Sequence, residues 1–232
     1  MCHFWKEITV KIIVINGSPR TNGLTASVLH LVENELISQG IDVEYYDLIG
    51  LDIGHCLGCC SCYMTGHCFI KDDAERLSQK VKNSDGLVLG SPTYASNVSG
   101  LMKDFIDRGH FVIEQLLKDK YCITVSTGEN HGFKNTLKIL NDLVIYSSGN
   151  LCGHIALKAA FNSKRHLPEK TLLMVRKAVK RVASKKKDRL QILYHRLIFS
   201  IGIKPFVMRK GKLYQGVINR WSDIKIIKEE NI

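Results

Sequence analysis

Residues 12–25 constrain the fold of this chain more than any other stretch. A short apolar run, rich in β-branched side chains, ends at Asn16, passes through a turn of Gly, Ser, Pro and Asn residues, and continues as an amphipathic helical pattern. This order is typical of a strand, a tight loop and a helix N-terminus. Such a loop directs backbone N–H groups and the positive end of a helix dipole toward one point. The stretch predicts a β–α unit that can bind an anion, although connections that bind nothing are also common.

The side chains of this first loop favour a phosphate. Ser18, Arg20, Asn22 and Thr25 can each donate a hydrogen bond to it, and Gly23 lets the backbone approach closely. The loop matches neither the dinucleotide pattern G-x-G-x-x-G nor the Walker A pattern with its lysine. We therefore predict that it binds a small phosphorylated ligand.

Strand and helix patterns alternate as far as residue 160. The helical stripes lie at 24–39, after a capping Asp72, at 98–109 and at 134–147, and the further strands lie near 41–48, 86–90, 121–125 and 151–160. This alternation predicts a parallel sheet with helices on both faces. Because the carboxyl ends of parallel strands share one edge of a sheet, the polar loops 17–25, 91–100 and 126–133 should converge on one pocket.

A basic segment follows the alternating part of the chain. Residues 164–212 contain 16 of the 33 Lys and Arg residues but only two acids, Glu169 and Asp188, and the whole chain has a formal net charge of +11. This concentration is compatible with nucleic acid, an anionic membrane surface or an acidic redox partner. No aromatic or groove-reading motif accompanies it, so a solvated helical face is favoured and no nucleic-acid partner is predicted.

The sequence therefore divides into two parts. Residues 1–163 read as the sheet domain, and residues 164–232 read as a basic, mainly helical C-terminal extension. We expect the extension to pack on the sheet domain or on another subunit.

Two amphipathic helices are predicted in the extension, at 168–187 and 188–201. The apolar side of the second consists of Leu190, Leu193, Leu197 and Ile201. Gly202 and Pro205 predict the end of that helix, and residues 206–232 read as partly extended.

The composition, 45% hydrophobic and 24% charged, is ordinary for a globular protein. No apolar run reaches the roughly 18 residues that a membrane-spanning helix needs. The N-terminus lacks the continuous apolar segment of a secretory signal. We predict no membrane span and a cytoplasmic location.

The first loop and the loop after the third strand together resemble a known family. Two motifs carry the resemblance: Gly-Ser-Pro-Arg-Thr-Asn-Gly at 17–23 and Ser-Pro-Thr-Tyr-Ala-Ser-Asn-Val-Ser-Gly-Leu-Met-Lys at 91–103. In both, the chain resembles the NAD(P)H-dependent FMN reductases, and within that group the iron–sulfur flavoproteins. The resemblance covers roughly residues 10–160. It implies an α/β, flavodoxin-like three-layer sandwich with a five-stranded parallel sheet of order 2-1-3-4-5, bound FMN, and homodimers or homotetramers.

The resemblance also implies roles for individual residues. The FMN phosphate would be held by Ser18, Arg20, Asn22, Gly23 and Thr25. The isoalloxazine ring would be lined by Pro92, Thr93, Tyr94 and Asn97, with Ser126, Thr127 and Gly128 on its other side. No catalytic side chain is predicted, because hydride transfer to a flavin needs no dedicated acid–base pair and the flavin supplies the hydride chemistry itself.

A compact group of cysteines is the second strong signal. Cys56, Cys59, Cys62 and Cys68 follow the spacing C-x2-C-x2-C-x5-C, with Cys60 as an extra member. Thiols this close in a cytosolic chain favour metal or redox chemistry over a disulfide framework. Four thiolates on one loop can hold a [4Fe–4S] cluster, and this spacing matches the iron–sulfur flavoprotein motif. A zinc site and a metal-free thiol loop, which many flavin reductases have, stay open as alternatives.

The other cysteines and the histidines carry weaker signals. Cys2, Cys122 and Cys152 are isolated in the sequence and are expected to be small buried apolar groups. His55 and His67 flank the cysteine motif and are expected on a loop surface.

Three functions follow from these patterns. The first is an FMN-dependent oxidoreductase that takes electrons from NAD(P)H and passes them to a small acceptor such as a quinone, a nitro or azo compound, or a flavin. The second is an electron-transfer protein with FMN, a [4Fe–4S] cluster and a ferredoxin-like partner. The third is a non-catalytic adaptor that binds nucleic acid or a membrane through residues 164–212.

Overall fold

The structure, a computed structural model, describes residues 10–160 and 167–227. Within these residues five strands form one parallel sheet in the order β2-β1-β3-β4-β5. The strands are β1 Lys11–Asn16, β2 Asp42–Asp47, β3 Gly86–Pro92, β4 Tyr121–Gly128 and β5 Asn150–Lys158. The predicted flavodoxin-like sheet and its strand order are confirmed.

Helices connect the strands and continue beyond the last one. They are α1 Leu24–Ser38, α2 Ser61–Thr65, α3 Asp73–Lys82, α4 Gly100–Arg108, α5 Phe133–Tyr146, α6 Glu169–Ala183, α7 Arg189–Ile198, α8 Lys204–Lys210 and α9 Gln215–Asp223. The predicted cap of α3 is confirmed, because the Asp72 carboxylate accepts a hydrogen bond from the Ala74 N–H.

The helices cover both faces of the sheet and bury two apolar cores. Ile12 and Val14 point toward α1 and α6, whereas Ile13 and Ile15 point toward α3, α4 and α5, because successive side chains of a strand face opposite sides. Cys122 and Cys152 are buried in these cores, as predicted. Cys2 lies outside the described residues.

Helix α6 belongs to the core of the sandwich. Val175, Val179 and Val182 are buried against the same face of the sheet as α1. The division of the chain at residue 163 stays a prediction, and residues 161–166 lie outside the described part. The packing shows that α6, the first helix after residue 163, covers one face of the sheet.

The sequence-based expectation for residues 202–227 was wrong. Instead of ending, the helix continues through a π-helical turn, Phe199–Ile203, into α8, and a 3-10 turn, Gly211–Tyr214, leads into α9. Pro205 lies in the first turn of α8, directly after the π-helical turn, so the irregular part of the helix coincides with the proline. Residues 228–232 of the supposedly extended tail lie outside the described residues.

The apolar stripe of α7 is not buried by the other residues that the structure describes. Leu190, Leu193, Leu197 and Ile201 are each more than half exposed. The amphipathic pattern of the sequence was therefore correct as a helix signal but did not identify an intramolecular core.

A third apolar cluster joins the C-terminal helices to the cysteine segment. Trp221 is fully buried, and its Nε1 donates a hydrogen bond to the carbonyl of Ile113 at 3.0 Å. The ring of Tyr63, on α2, stacks on Tyr214 with centroids 4.9 Å apart. The C-terminal helices thus support the segment that carries the cysteines.

No helix among the described residues combines the length and apolarity needed to cross a bilayer.

Candidate functional site

Hydrogen bonds within the first loop define its shape. The Ser18 N–H donates to Asn16 Oδ1 at 3.0 Å, the Arg20 N–H donates to Ser18 Oγ at 3.1 Å, and the Gly23 N–H donates to the Arg20 carbonyl at 3.1 Å. Asn16 is itself held from the neighbouring strand, since its Nδ2 donates to Asp47 Oδ1 at 2.7 Å. The loop is therefore preorganised by its own chain.

The N-terminus of α1 has no side-chain cap and no acidic residue in its first turn. Its N-cap residue is Gly23. By contrast, Asp72, Ser99 and Asp188 cap α3, α4 and α7. The N–H groups at the start of α1 and the positive end of its dipole are thus presented to a ligand, and no carboxylate of its first turn opposes an anion there.

The second loop contains a tight turn in an unusual conformation. Tyr94 and Asn97 exchange backbone hydrogen bonds of 3.0 and 2.9 Å, and the two residues between them, Ala95 and Ser96, have φ values of 48° and 60°. Two successive left-handed residues are the geometry of a type I′ turn, which normally uses Asn-Gly. Backbone strain of this kind is found preferentially at functional sites.

Replacing the strained pair by the favoured one, Ala95→Asn with Ser96→Gly, is expected to raise the free energy of unfolding by about 1 kcal/mol, because the left-handed conformation then costs less. Urea unfolding measures the effect. Ser27→Gly in the exposed face of α1 is the control, and it should lower stability by a similar amount. A less stable double variant would contradict the turn geometry.

The third loop is joined to both others. Thr25 Oγ1 and Thr127 Oγ1 lie 2.7 Å apart, which links the start of α1 to the end of β4. The Thr93 N–H donates to the Thr127 carbonyl at 2.8 Å. Ser126 is buried and its hydroxyl donates to the Phe133 carbonyl at 2.8 Å, so it holds the loop that leads into α5.

These loops enclose a cavity of about 220 Å³ at the carboxyl edge of the sheet. The predicted convergence of the three loops is therefore confirmed. The predicted site residues that line the cavity are Arg20, Pro92, Thr93, Tyr94, Thr127 and Gly128. Of the others, Ser18, Thr25 and Ser126 are buried in the walls, Gly23 caps α1, and Asn22 and Asn97 are exposed. Their individual roles toward a ligand stay predictions.

Some cavity residues were missed by the sequence analysis. These are Leu24, Glu129, Asn130, Ala159 and Ala160. The two alanines directly follow β5, and the Ala159 N–H donates to the Gly128 carbonyl at 3.1 Å. The segment after β5, the fifth strand of the series, meets the same sheet edge as the loops after β1, β3 and β4. Applying that rule to β5 would therefore have found the two alanines.

The cysteine segment lies between β2 and α3. Its thiols are all free; Cys56, Cys59 and Cys60 are exposed, Cys62 is partly buried and Cys68 is buried. Over residues 10–160 and 167–227, no three side chains of His, Cys, Asp or Glu are placed to hold one metal ion. The segment thus offers the thiol donors that an iron–sulfur cluster uses, but not in an assembled arrangement.

The surroundings of Cys62 disfavour a reactive thiol. Burial raises the pKa of Cys62 to about 12, and interactions with the Glu114 carboxylate, Cys68 and Cys59 act in the same direction. Glu114 is buried, with His110 Nδ1 at 3.0 Å and Lys82 Nζ at 3.2 Å. Without a bound cation, Cys62 is a neutral thiol at neutral pH, whereas a metal ion that coordinates a thiol deprotonates it.

The residues present fit the two groups that the family resemblance implies. A phosphate fits the uncapped start of α1, and a flat ring fits the cavity between the second and third loops. The cysteine segment has the donor chemistry of a cluster and no competing disulfide among its thiols.

Comparison with known proteins agrees with this geometry. Residues 10–161 match the family described as NADPH-dependent FMN reductase. An iron–sulfur flavoprotein of Clostridioides difficile (strain 630) is 34% identical over 224 residues, which cover 93% of this chain and 99% of the relative. An iron–sulfur flavoprotein of Methanocaldococcus jannaschii is 32% identical over 142 residues, 60% of this chain and 74% of the relative.

The fold is also found among solved structures. The NAD(P)H:quinone oxidoreductase from Methanothermobacter marburgensis superposes with a TM-score of 0.61 at 14% sequence identity, covering 75% of this chain and 96% of that chain. At this identity the likeness concerns the fold. Taken with the match over residues 10–161, it means that this chain belongs to the NADPH-dependent FMN reductase family, with a flavodoxin-like fold.

Proposed function

We propose that this protein is an iron–sulfur flavoprotein that transfers electrons between FMN, a [4Fe–4S] cluster and a partner protein. The observation that carries the proposal is the segment of four free thiols, Cys56, Cys59, Cys62 and Cys68, in a chain whose first loop and cavity suit FMN. The similarity to the iron–sulfur flavoprotein of Clostridioides difficile extends over 93% of this chain, including the cysteine segment, and supports the same function.

The chain's own groups would bind and orient the flavin. The N–H groups at the start of α1, with Ser18, Arg20, Asn22 and Thr25 around them, would hold the phosphate. Pro92, Thr93, Tyr94 and Asn97 would line one side of the ring, and Ser126, Thr127 and Gly128 the other. When bound, FMN supplies hydride and electron chemistry, and a cluster supplies one-electron exchange.

Helix α4 connects the flavin site to the cysteine segment. At its N-terminal end the Ser99 hydroxyl donates to the Gly17 carbonyl of the first loop at 2.5 Å. Further along, Asp104 lies 2.7 Å from His55 Nδ1, next to Cys56. A nine-residue helix is about 14 Å long, so one rigid element holds both sites in a fixed relation.

The partners follow from charge and exposed apolar surface. The basic residues of 164–212 favour an acidic partner, such as a ferredoxin-like protein. The exposed apolar stripe of α7 supplies a surface on which copies of the chain would pair as homodimers or homotetramers.

A second function is favoured by the family match itself. As a member of the NADPH-dependent FMN reductase family, the protein would take electrons from NAD(P)H and pass them to a quinone, a nitro or azo compound, or another flavin. In that case the cysteine segment would be a metal-free loop.

Anaerobic purification with quantification of FMN, iron and sulfide separates these functions. The electron-transfer function predicts about one FMN, four iron and four sulfide per chain, and a broad visible absorption beneath the flavin bands that bleaches on reduction. Flavin without iron, together with NAD(P)H oxidation, would instead support the reductase function. A protein with no flavin whose DNA binding falls steeply with salt would contradict both.

A further inference from the structure

The two ends of the cysteine segment are joined by a buried ion pair. Arg108, at the end of α4, and Asp72, the N-cap of α3, have side chains that are 1% and 5% exposed. Arg108 Nη1 donates to Asp72 Oδ2 at 2.6 Å, and Nη2 donates to Oδ1 at 2.8 Å. This is the bidentate geometry in which a guanidinium binds a carboxylate most specifically.

The same pair also holds the backbone at both ends of the segment. Arg108 Nη1 donates to the Gly54 carbonyl at 2.9 Å and Nη2 to the Ile70 carbonyl at 3.4 Å. The Gly54 N–H donates in turn to Asp72 Oδ2 at 3.0 Å. Residues 54–72, which contain all the clustered cysteines, therefore form a loop whose two ends both contact this pair of side chains. Just outside the loop, the Asp73 N–H donates to the Asp52 carbonyl at 2.9 Å and the Asp52 N–H donates to Asp73 Oδ2 at 3.0 Å.

Cys68 is buried two residues before Ile70, whose carbonyl accepts the hydrogen bond from Arg108 Nη2. Burial acts to lower the pKa of Arg108, but the hydrogen bonds to the Asp72 carboxylate and an interaction with Cys68 raise it above its ordinary value. Arg108 Nε is buried and has no hydrogen-bond partner among the described residues. One buried N–H donor of Arg108 is thus left available on the side chain that interacts with Cys68.

We propose that Arg108 is a positioning residue for the cluster ligand Cys68: its bidentate contact with Asp72 closes the cysteine loop, and its charge stabilises negative charge on the Cys68 sulfur. The proposal rests on the proposed function, because it assumes that Cys68 binds a cluster. It assigns two separable roles to one side chain. The planar guanidinium determines the geometry of the loop, and its positive charge raises the redox potential of the cluster that the Cys68 sulfur would ligate.

Two substitutions separate these roles. Arg108→Lys keeps the charge but loses the bidentate fork. We therefore expect a chelator to remove iron roughly 10- to 100-fold faster, while the midpoint potential of the cluster stays close to that of the wild type. Arg108→Gln loses both the fork and the charge, so we expect the same faster loss of iron and a lower midpoint potential of the cluster. The FMN midpoint potential should not change in either variant.

The matched control is Arg76→Gln. Arg76 forms an exposed ion pair of 2.7 Å with Asp73 on the same helix that Asp72 caps, and it makes none of the loop contacts of Arg108. Iron retention and both midpoint potentials should equal those of the wild type. The double variant Arg108→Gln with Asp72→Asn removes both charges, so it leaves no buried carboxylate unpaired and covers the case in which Arg108→Gln alone does not fold.

Hydrogen–deuterium exchange on the metal-free protein tests the closure of the loop without any cluster. In the double variant, exchange should become about tenfold faster within residues 52–74 and stay unchanged in α5. Unchanged exchange in that segment, or a midpoint potential that Arg108→Gln does not shift, would overturn the proposal. A wild type that holds no iron would refute the proposed function instead, and loop closure by Arg108 would then be judged by the exchange experiment.

Discussion

Cys62→Ser is expected to abolish iron loading of the anaerobically purified protein while its FMN content stays at the wild-type level. Cys62 is the partly buried thiol at the centre of the cysteine segment, and Cys59 and Cys68 lie close enough to raise its pKa. A serine hydroxyl is a poor ligand for a cluster that thiolates hold, so one of four ligands would be lost. FMN binding should persist, because the cavity proposed to bind it is built from the loops after β1, β3, β4 and β5.

Cys60→Ser is the matched control for this experiment. Cys60 is exposed, lies in the same segment, and falls outside the C-x2-C-x2-C-x5-C spacing. Its variant should contain as much iron as the wild type. Equal iron in Cys62→Ser and the wild type would remove Cys62 from the ligand set, and equal loss in both variants would indicate that the segment is sensitive to any substitution.

Asn22→Asp is expected to weaken FMN binding about 100-fold while it stabilises the flavin-free protein. Asn22 is exposed in the first loop, just before the uncapped start of α1. A carboxylate there would repel a phosphate dianion, and a penalty of about 3 kcal/mol is reasonable for charges a few ångström apart near a protein surface. The same carboxylate interacts favourably with the helix dipole, which adds roughly 0.5 kcal/mol to the stability of the flavin-free protein.

Riboflavin provides the internal control for this prediction, because it has the ring but not the phosphate. Its affinity should be the same in Asn22→Asp and in the wild type, as measured by quenching of flavin fluorescence. Asn83→Asp, the same substitution at an exposed residue at the end of α3, should leave the affinity for FMN unchanged. Equal weakening of riboflavin and FMN by Asn22→Asp would show that the substitution distorts the site and that Asn22 does not lie near the phosphate.

Local sequence patterns were sufficient to predict most of the sheet and the position of the cavity at its carboxyl edge. The strand of β-branched residues before Asn16 and the stripe at Val28, Leu29, Val32 and Leu36 are period-2 and period-3.6 signals, and these four helix residues are fully buried. The convergence of the polar loops follows from parallel strands alone. The same rule, applied to β5, would have added Ala159 and Ala160 to the cavity.

Local patterns failed where burial depends on distant partners. The stripe of α7 has the same periodicity as that of α1, yet Leu190 and Leu193 are exposed. The pattern did not predict this exposure, because an amphipathic pattern does not specify which surface covers the apolar face. Pro205 was interpreted as a helix end, although the chain stays helical through a π-helical turn and past the proline.

The sequence by itself determined the parallel α/β sheet, the polar first loop between a strand and a helix, and the spacing of the four thiols, because each depends on residues close together in the chain. Only the tertiary structure decided how the cysteine segment is held. Arg108 meets Asp72 across 36 residues, and Trp221 reaches the carbonyl of Ile113 across 108. Such contacts depend on the packing of whole elements, since a buried guanidinium is stable only where folding also buries its carboxylate partner.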